Sequence, residues 1–226
     1  MRSPYLSAIP TAIILLLPAC SAEKSMVATP NSARQTITDA PPYVCKLVPE
    51  QAFRAITGTV GPISGETVGS EASGECRTPD PMRPPLQVNW LRAEGKTGQE
   101  HIDYVMDGRL SIYTRHNGVT IPADLGNGMV AYLTSGLLAQ QPYRVSAKFR
   151  CGGTDRMLDI YLAKVAKGRD AIQDLIALMR IAQSRYGELY DCTPQGTQGT
   201  QGTQGAQSHS PQATAGATQQ LTGKPG

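Results

Sequence analysis

The residues of this chain that could do chemistry are five cysteines, three histidines and a scatter of carboxylates. In the stretch "HIDYVMDGRLSIY", His101 and Asp103 stand two residues apart, a spacing that puts both on one face of a strand. There they would form an acid–base pair or two ligands of a metal, and Asp103 with Asp107 would form a carboxylate pair for acid–base work. A solvated polar face beside an Asp107-Gly108 turn is the plainer account of the same residues. His116 precedes Asn117-Gly118 and reads as a turn-flanking surface residue, while His209 lies near the carboxyl end. A serine triad needs a positioned nucleophile; no G-x-S-x-G occurs, and Thr134-Ser135-Gly136 reads as loop. Leu125-Gly126-Asn127-Gly128 has neither the lysine nor the following helix of a phosphate cradle. Asp155 and Asp159, beside Arg156, read as surface charge. No cofactor motif is present, and no cofactor is expected.

The cysteines carry more information. Cys45, Cys76, Cys151 and Cys192 are far apart and have no histidine near them, whereas structural zinc sites carry close C-x₂₋₄-C pairs. No metal is expected. An even number of thiols in an exported chain reads as a disulfide set, and four thiols allow three pairings. Chain order favours Cys45–Cys76 and Cys151–Cys192, each closing a loop worth about 3–4 kcal/mol in the entropic account. Thiols so bridged are not nucleophiles.

The fifth cysteine sits in "AIILLLPACSAEK", where an apolar run meets a polar chain. One early positive charge, Arg2, precedes a hydrophobic stretch from Leu6 to Leu17 that Pro10 interrupts. A membrane span needs about 20 apolar residues, so the segment has the layout of a secretory signal, and without a twin arginine it points to the general secretory route. Leu17-Pro18-Ala19-Cys20 resembles the bacterial lipobox. That resemblance implies a diacylglyceryl group on the Cys20 thiol, cleavage just before it, and a mature chain moored to the outer face of the cell membrane. Two or three acyl chains, at about 0.8 kcal/mol per buried CH₂, hold stably where one does not. The rival is cleavage after Ala22, which would discard Cys20 and release a soluble protein.

These segments divide the chain into a signal peptide (1–19), a lipidated cysteine with a flexible spacer (20–42), one globular domain (43–192) and a Gln/Gly/Thr-rich tail (193–226). The tail has almost no charge or bulk and is expected to be disordered. The domain carries seventeen Lys/Arg against sixteen Asp/Glu with no basic stripe, so nucleic acid is not an expected partner.

Within the domain, "VPEQAFRAITG" reads as a helix opened by Pro49 and stopped by Gly58. "PLQVNWLR" and "YRVSAKFRC" alternate as strands, and "RMLDIYLAKVA" returns antiparallel after Gly152-Gly153. "HIDYVMDGRLSIY" is read as two short strands about Asp107-Gly108. Trp90, Tyr143, Phe149 and Tyr161 fall at strand spacing and are expected in the core. "RDAIQDLIALMRIAQSRYGELY" places Ile172, Leu175, Ile176, Met179 and Ala182 on one helical stripe. The fold class is therefore α+β: an antiparallel sheet with a short N-terminal helix and a long C-terminal helix packed on it.

With the Cys20 motif, "CKLVPEQAFRAITG", "GECR" followed by "LQVNW", and "GRDAIQDLIALMRIAQSRYGELYDC", the chain resembles a family of actinomycete surface lipoproteins of unknown function. The resemblance implies a secreted, single-domain, disulfide-bearing protein, and lends no catalytic residues. The expectation is a membrane-anchored extracytoplasmic lipoprotein that binds an unknown envelope ligand or protein. The alternative is a cell-envelope hydrolase working through carboxylates or His101.

Overall fold

In the computed structural model, a hairpin of two short strands, β1 (Tyr43–Val44) and β2 (Val48–Pro49), leads into α1 (Glu50–Thr57). The described residues are 36–80 and 83–196. The segment read as a signal peptide, Cys20, most of the residues read as a spacer, and the residues beyond 196 lie outside them.

Helix α1 starts directly after Pro49, carries Glu50 in its first turn, and ends at Gly58 in the left-handed conformation (φ 64°). It buries Ala52, Phe53 and Ile56. Three strands follow, β3 (Glu66–Gly69), β4 (Ser73–Arg77) and β5 (Leu86–Arg92). Next come α2 (Gly95–Arg115), β6 (Val119–Thr120), β7 (Asn127–Tyr132), β8 (Tyr143–Cys151), β9 (Thr154–Leu162), α3 (Ala171–Leu189) and β10 (Gln195–Gly196). The sheet order is β3-β4-β5-β9-β8-β7-β6, antiparallel throughout, with β10 pairing with the end of β8.

The register assigns each side chain to a face. Val145, Ala147 and Phe149 of β8 stand on the same face as Leu158 and Ile160 of β9 and Val88 and Trp90 of β5. With α1 and α3 these residues form the main core. Asp170 caps α3, its carboxylate accepting from the amides of Ile172 and Gln173 at 3.1 Å each. Leu175, Leu178, Met179, Ala182 and Tyr186 are its buried stripe, while Ile172, at the first turn, is 38% exposed. Disulfides join Cys45 to Cys76 and Cys151 to Cys192, tying the β1–β2 turn to β4 and the end of β8 to the segment after α3.

The opposite face departs from the expected arrangement. Residues 101–113 are not two strands about Asp107-Gly108; they lie inside the 21-residue helix α2, which packs on β7, β8 and β9. An Asp-Gly pair favours a hairpin turn and a mid-helix glycine costs about 1 kcal/mol. Here Gly108 is solvent-facing, and burial of Ile102, Met106 and Tyr113 on one helical face outweighs that local preference. The sheet is thus covered by α1 and α3 on one side and by α2 on part of the other.

The flanks also contribute to the fold. Ile37, placed in the spacer by the sequence, packs against the main core, and Gln195–Gly196, placed in the tail, pair with Arg150 and Phe149. The Cys151–Cys192 bond holds the chain beside β8 at that point, which lowers the entropy lost in ordering the next few residues.

Candidate functional site

Helix α2 is docked to the sheet by apolar contacts of Ile102 and Met106 with Ala93 and Met157, and of Tyr113 with Ala131 and Leu133, interleaved with a row of polar side chains. Gln99 Nε2 donates to Asp155 Oδ2 (2.8 Å), and Lys148 Nζ donates to Asp103 Oδ1 (2.6 Å). Further along, Arg109 Nη2 donates to Asp159 Oδ2 (3.4 Å), and the Tyr113 hydroxyl meets Ser146 Oγ (2.9 Å). The last pair is fully buried: Tyr113 is 1% exposed and Ser146 0%.

Ser146 Oγ donates to Asp159 Oδ1 at 2.5 Å, so the Tyr113 hydroxyl must be the donor to Ser146. Asp159 Oδ2 also accepts from Asn89 Nδ2 (3.4 Å). Asn89 Oδ1 in turn accepts from Gln87 Nε2 (2.9 Å), which also donates to Glu75 Oε2 (3.2 Å). One hydrogen-bonded chain therefore crosses four adjacent strands, from Glu75 on β4 through Gln87 and Asn89 on β5 and Asp159 on β9 to Ser146 on β8. Tyr113 and Arg109 of α2 close it from above. Beside it the Arg144 guanidinium lies 4.2 Å over the Tyr161 ring, with Arg109 at 5.9 Å from the same ring.

Burial raises the Tyr113 hydroxyl well above its ordinary range, and the nearby Asp159 charge adds to this. Tyr161 is raised in the same way, first by burial and then by Asp159. Both phenols are held neutral. At the solvent end of α2, the hydrogen bond from Lys148 holds the Asp103 carboxyl below its usual range despite partial burial.

Where the chain emerges from under α2 it forms the floor of a groove of about 390 Å³ between the free flank of α2 and strands β3, β4 and β5. Val68, Leu91, Val105 and Met157 supply apolar walls, and Glu75, Asn89, Arg109 and Asp159 supply the polar groups. Arg109 has five N–H donors, of which one is used, toward Asp159; its Nε is buried with no partner among the described residues. A second pocket of about 280 Å³ opens on the other side of the β3–β4 turn, walled by Trp90, Tyr186 and Tyr190.

Several expectations are corrected by this geometry. His101 and Asp103 do not share a strand face: His101 is exposed on α2, and two helical residues point about 200° apart. Asp107 is exposed, and Asp103 pairs with Lys148 instead. Asp155 and Asp159 are not simple surface charge, because Asp159 is 2% exposed and Asp155 lies between Gln99, Lys148 and Arg150. Trp90, Phe149 and Tyr161 are buried and Tyr143 is half-buried, although Tyr161 lies on the α2 face rather than in the main core.

Arg109, Asn89, Glu75 and Ser146 were not visible as a group in the sequence. The signal that finds them is the helical spacing of Ile102, Met106 and Tyr113, which turns Arg109 toward the sheet. Among the described residues no helix is long and apolar enough to cross a membrane, and no three His, Cys, Asp or Glu side chains gather to hold a metal.

Fold and site together define a disulfide-bonded α+β domain: an antiparallel sheet with helices on both faces and a polar-floored groove beside α2. No family model, curated protein or solved structure matches the chain.

Proposed function

We propose that this protein is a lipid-anchored extracytoplasmic binding module, moored through an acylated Cys20, whose groove beside α2 takes an envelope ligand. The observation that carries the binding half is Arg109, a guanidinium at the end of a hydrogen-bonded floor, with most of its donors unspent among the described residues. A concave surface with apolar walls and a few convergent polar groups is the usual form of a small-ligand site. Anchoring rests on the apolar run, the Leu17-Pro18-Ala19-Cys20 motif and the resemblance to surface lipoproteins. A hydrolytic reading has less support: Ser146 is fully buried and committed to Asp159, and His101 has no hydrogen-bond partner among the described residues.

Intact mass of the membrane fraction tests the anchor. Wild-type protein is expected to carry acyl mass on a chain beginning at Cys20, and Cys20→Ser to lose it and appear in the medium. A wild-type chain beginning at Glu23 without fatty acid would remove the anchor from the proposal.

A further inference from the structure

The charges of the groove narrow the chemistry of what it takes, given the binding role proposed above. Its lining holds Glu75, Asp159 and Arg109, and Arg77 stands 3.6 Å from Glu75. Two negative groups therefore meet two positive ones within a few ångströms. An anion drawn to Arg109 would meet Asp159, 3.4 Å from the same guanidinium, and a cation drawn to Glu75 or Asp159 would meet Arg77 or Arg109. Neither sign of charge finds an uncompensated partner, and desolvating a ligand ion here would go unrewarded. A neutral acceptor oxygen on Arg109, and neutral donors on Glu75, meet no such opposition.

The backbone of the floor narrows it further. Strands β4, β5 and β9 are each paired on both sides, so their main-chain N–H and C=O groups are used within the sheet. Strand β3, which borders the groove through Val68 and Gly69, is an edge, but its unpaired side faces away from β4, so between β4 and β9 the floor offers side-chain partners only. An extended peptide laid here would find no ladder to join and would leave its own backbone groups unpaired. A ring with hydroxyls around its rim needs no ladder. From β4, which carries Glu75, to β9, over which Arg109 lies, is two strand spacings, about 10 Å. That is the reach of one sugar ring bearing a short acyl side arm. Its less polar ring face would lie against Leu91, Val105 and Met157.

We infer that the groove beside α2 binds a neutral, N-acylated sugar unit, with the Arg109 Nη1 edge donating to the amide carbonyl and Glu75 accepting from ring hydroxyls. The buried Nε of Arg109 takes no part in the contact but lies beside it, which makes its N–H resonance a local reporter.

The test is a titration of the full-length mature chain, ¹⁵N-labelled, following the Arg109 Nε–H resonance, assigned by its loss in Arg109→Gln. The probes are N-acetylglucosamine, glucosamine and glucuronate: one ring type, with neutral, positive and negative charge. N-acetylglucosamine is expected to shift the resonance saturably, and each charged probe to bind about tenfold more weakly. Glu75→Gln, at the far end of the groove, is expected to weaken N-acetylglucosamine by a similar factor while leaving the chain folded. Equal or tighter binding of either charged sugar overturns the assignment of ligand class while leaving a binding groove in place. A saturable response to N-acetylglycine N-methylamide but not to the sugar does the same. No response to any of these probes, together with none to a soluble envelope extract, overturns the binding role itself.

Discussion

Replacing Asp159 with asparagine isolates the buried polar network through which Arg109 and Tyr113 of α2 meet the sheet. The side chain is nearly isosteric, so packing around it changes little, but the carboxylate is 3% exposed and accepts from Ser146, Asn89 and Arg109. The new amide has one acceptor oxygen. If it receives Ser146, its NH₂ faces the donors of Asn89 and Arg109 and leaves them unmatched. Loss of the charge-assisted bond from Arg109 costs about 1.5–3 kcal/mol, and the unmatched donor of Asn89 adds about 1 kcal/mol more. The sum, about 2.5–4 kcal/mol, is a large share of the roughly 5–15 kcal/mol that holds a domain together. The assay is urea unfolding of the disulfide-intact protein, where the midpoint should fall with the slope unchanged. Ser146→Ala should cost less, and the double variant should fall short of the sum by at least about 1 kcal/mol, because the two residues share a bond. A loss below about 1 kcal/mol for Asp159→Asn, or strict additivity with Ser146→Ala, would refute the picture of a coupled buried chain.

Other outcomes follow from named contacts. Trp90, the single tryptophan, covers the Cα of Gly74 so closely that any added Cβ must displace the indole. Gly74→Ala is therefore expected to cost about 1–3 kcal/mol and to red-shift tryptophan emission; unchanged emission would contradict the packing. Among the nine tyrosines, Tyr113 and Tyr161 are held protonated in the fold. The unfolded chain ionises near pH 10, so their contribution is intact below that pH and is lost as pH rises beyond it. Spectrophotometric titration should show two phenols ionising only with unfolding, and Tyr113→Phe should move alkaline unfolding to higher pH. Removing the Cys151–Cys192 bridge, which spans 41 residues, by a double serine substitution should cost about 3–4 kcal/mol. It should also speed amide exchange at Gln195–Gly196; a loss confined to stability, with no change there, would separate the bridge from the β10 pairing.

What could be read from the sequence was whatever had a strong local period or a distance constraint. The alternation in Tyr143–Cys151 and the stripe from Leu175 to Ala182 are long enough to fix strand and helix without context. The disulfide partners followed from chain order because each pair closes a modest loop. Helix α2 was hidden for a physical reason: its docking face carries Gln99, Asp103, Arg109 and Tyr113 among the apolar residues, so its amphipathic contrast is weak, and Asp107-Gly108 mimics a turn. Misreading α2 concealed the site as well. Arg109 and Asp159 are fifty residues apart, and only the third dimension brings a helix from the middle of the chain over a strand near its end. The alternation of β8 showed that Ser146 faced away from the main core, but not that a second layer would bury it.

The central claim, that the groove beside α2 is where this protein binds its ligand, is met most directly by hydrogen–deuterium exchange of the full-length mature chain with and without soluble envelope extract. The account predicts slower exchange confined to α2 around Val105–Arg109 and to the β4–β5 segment at Glu75–Leu91, abolished in Arg109→Gln. Protection centred on another surface, or protection that survives Arg109→Gln unchanged, would contradict it.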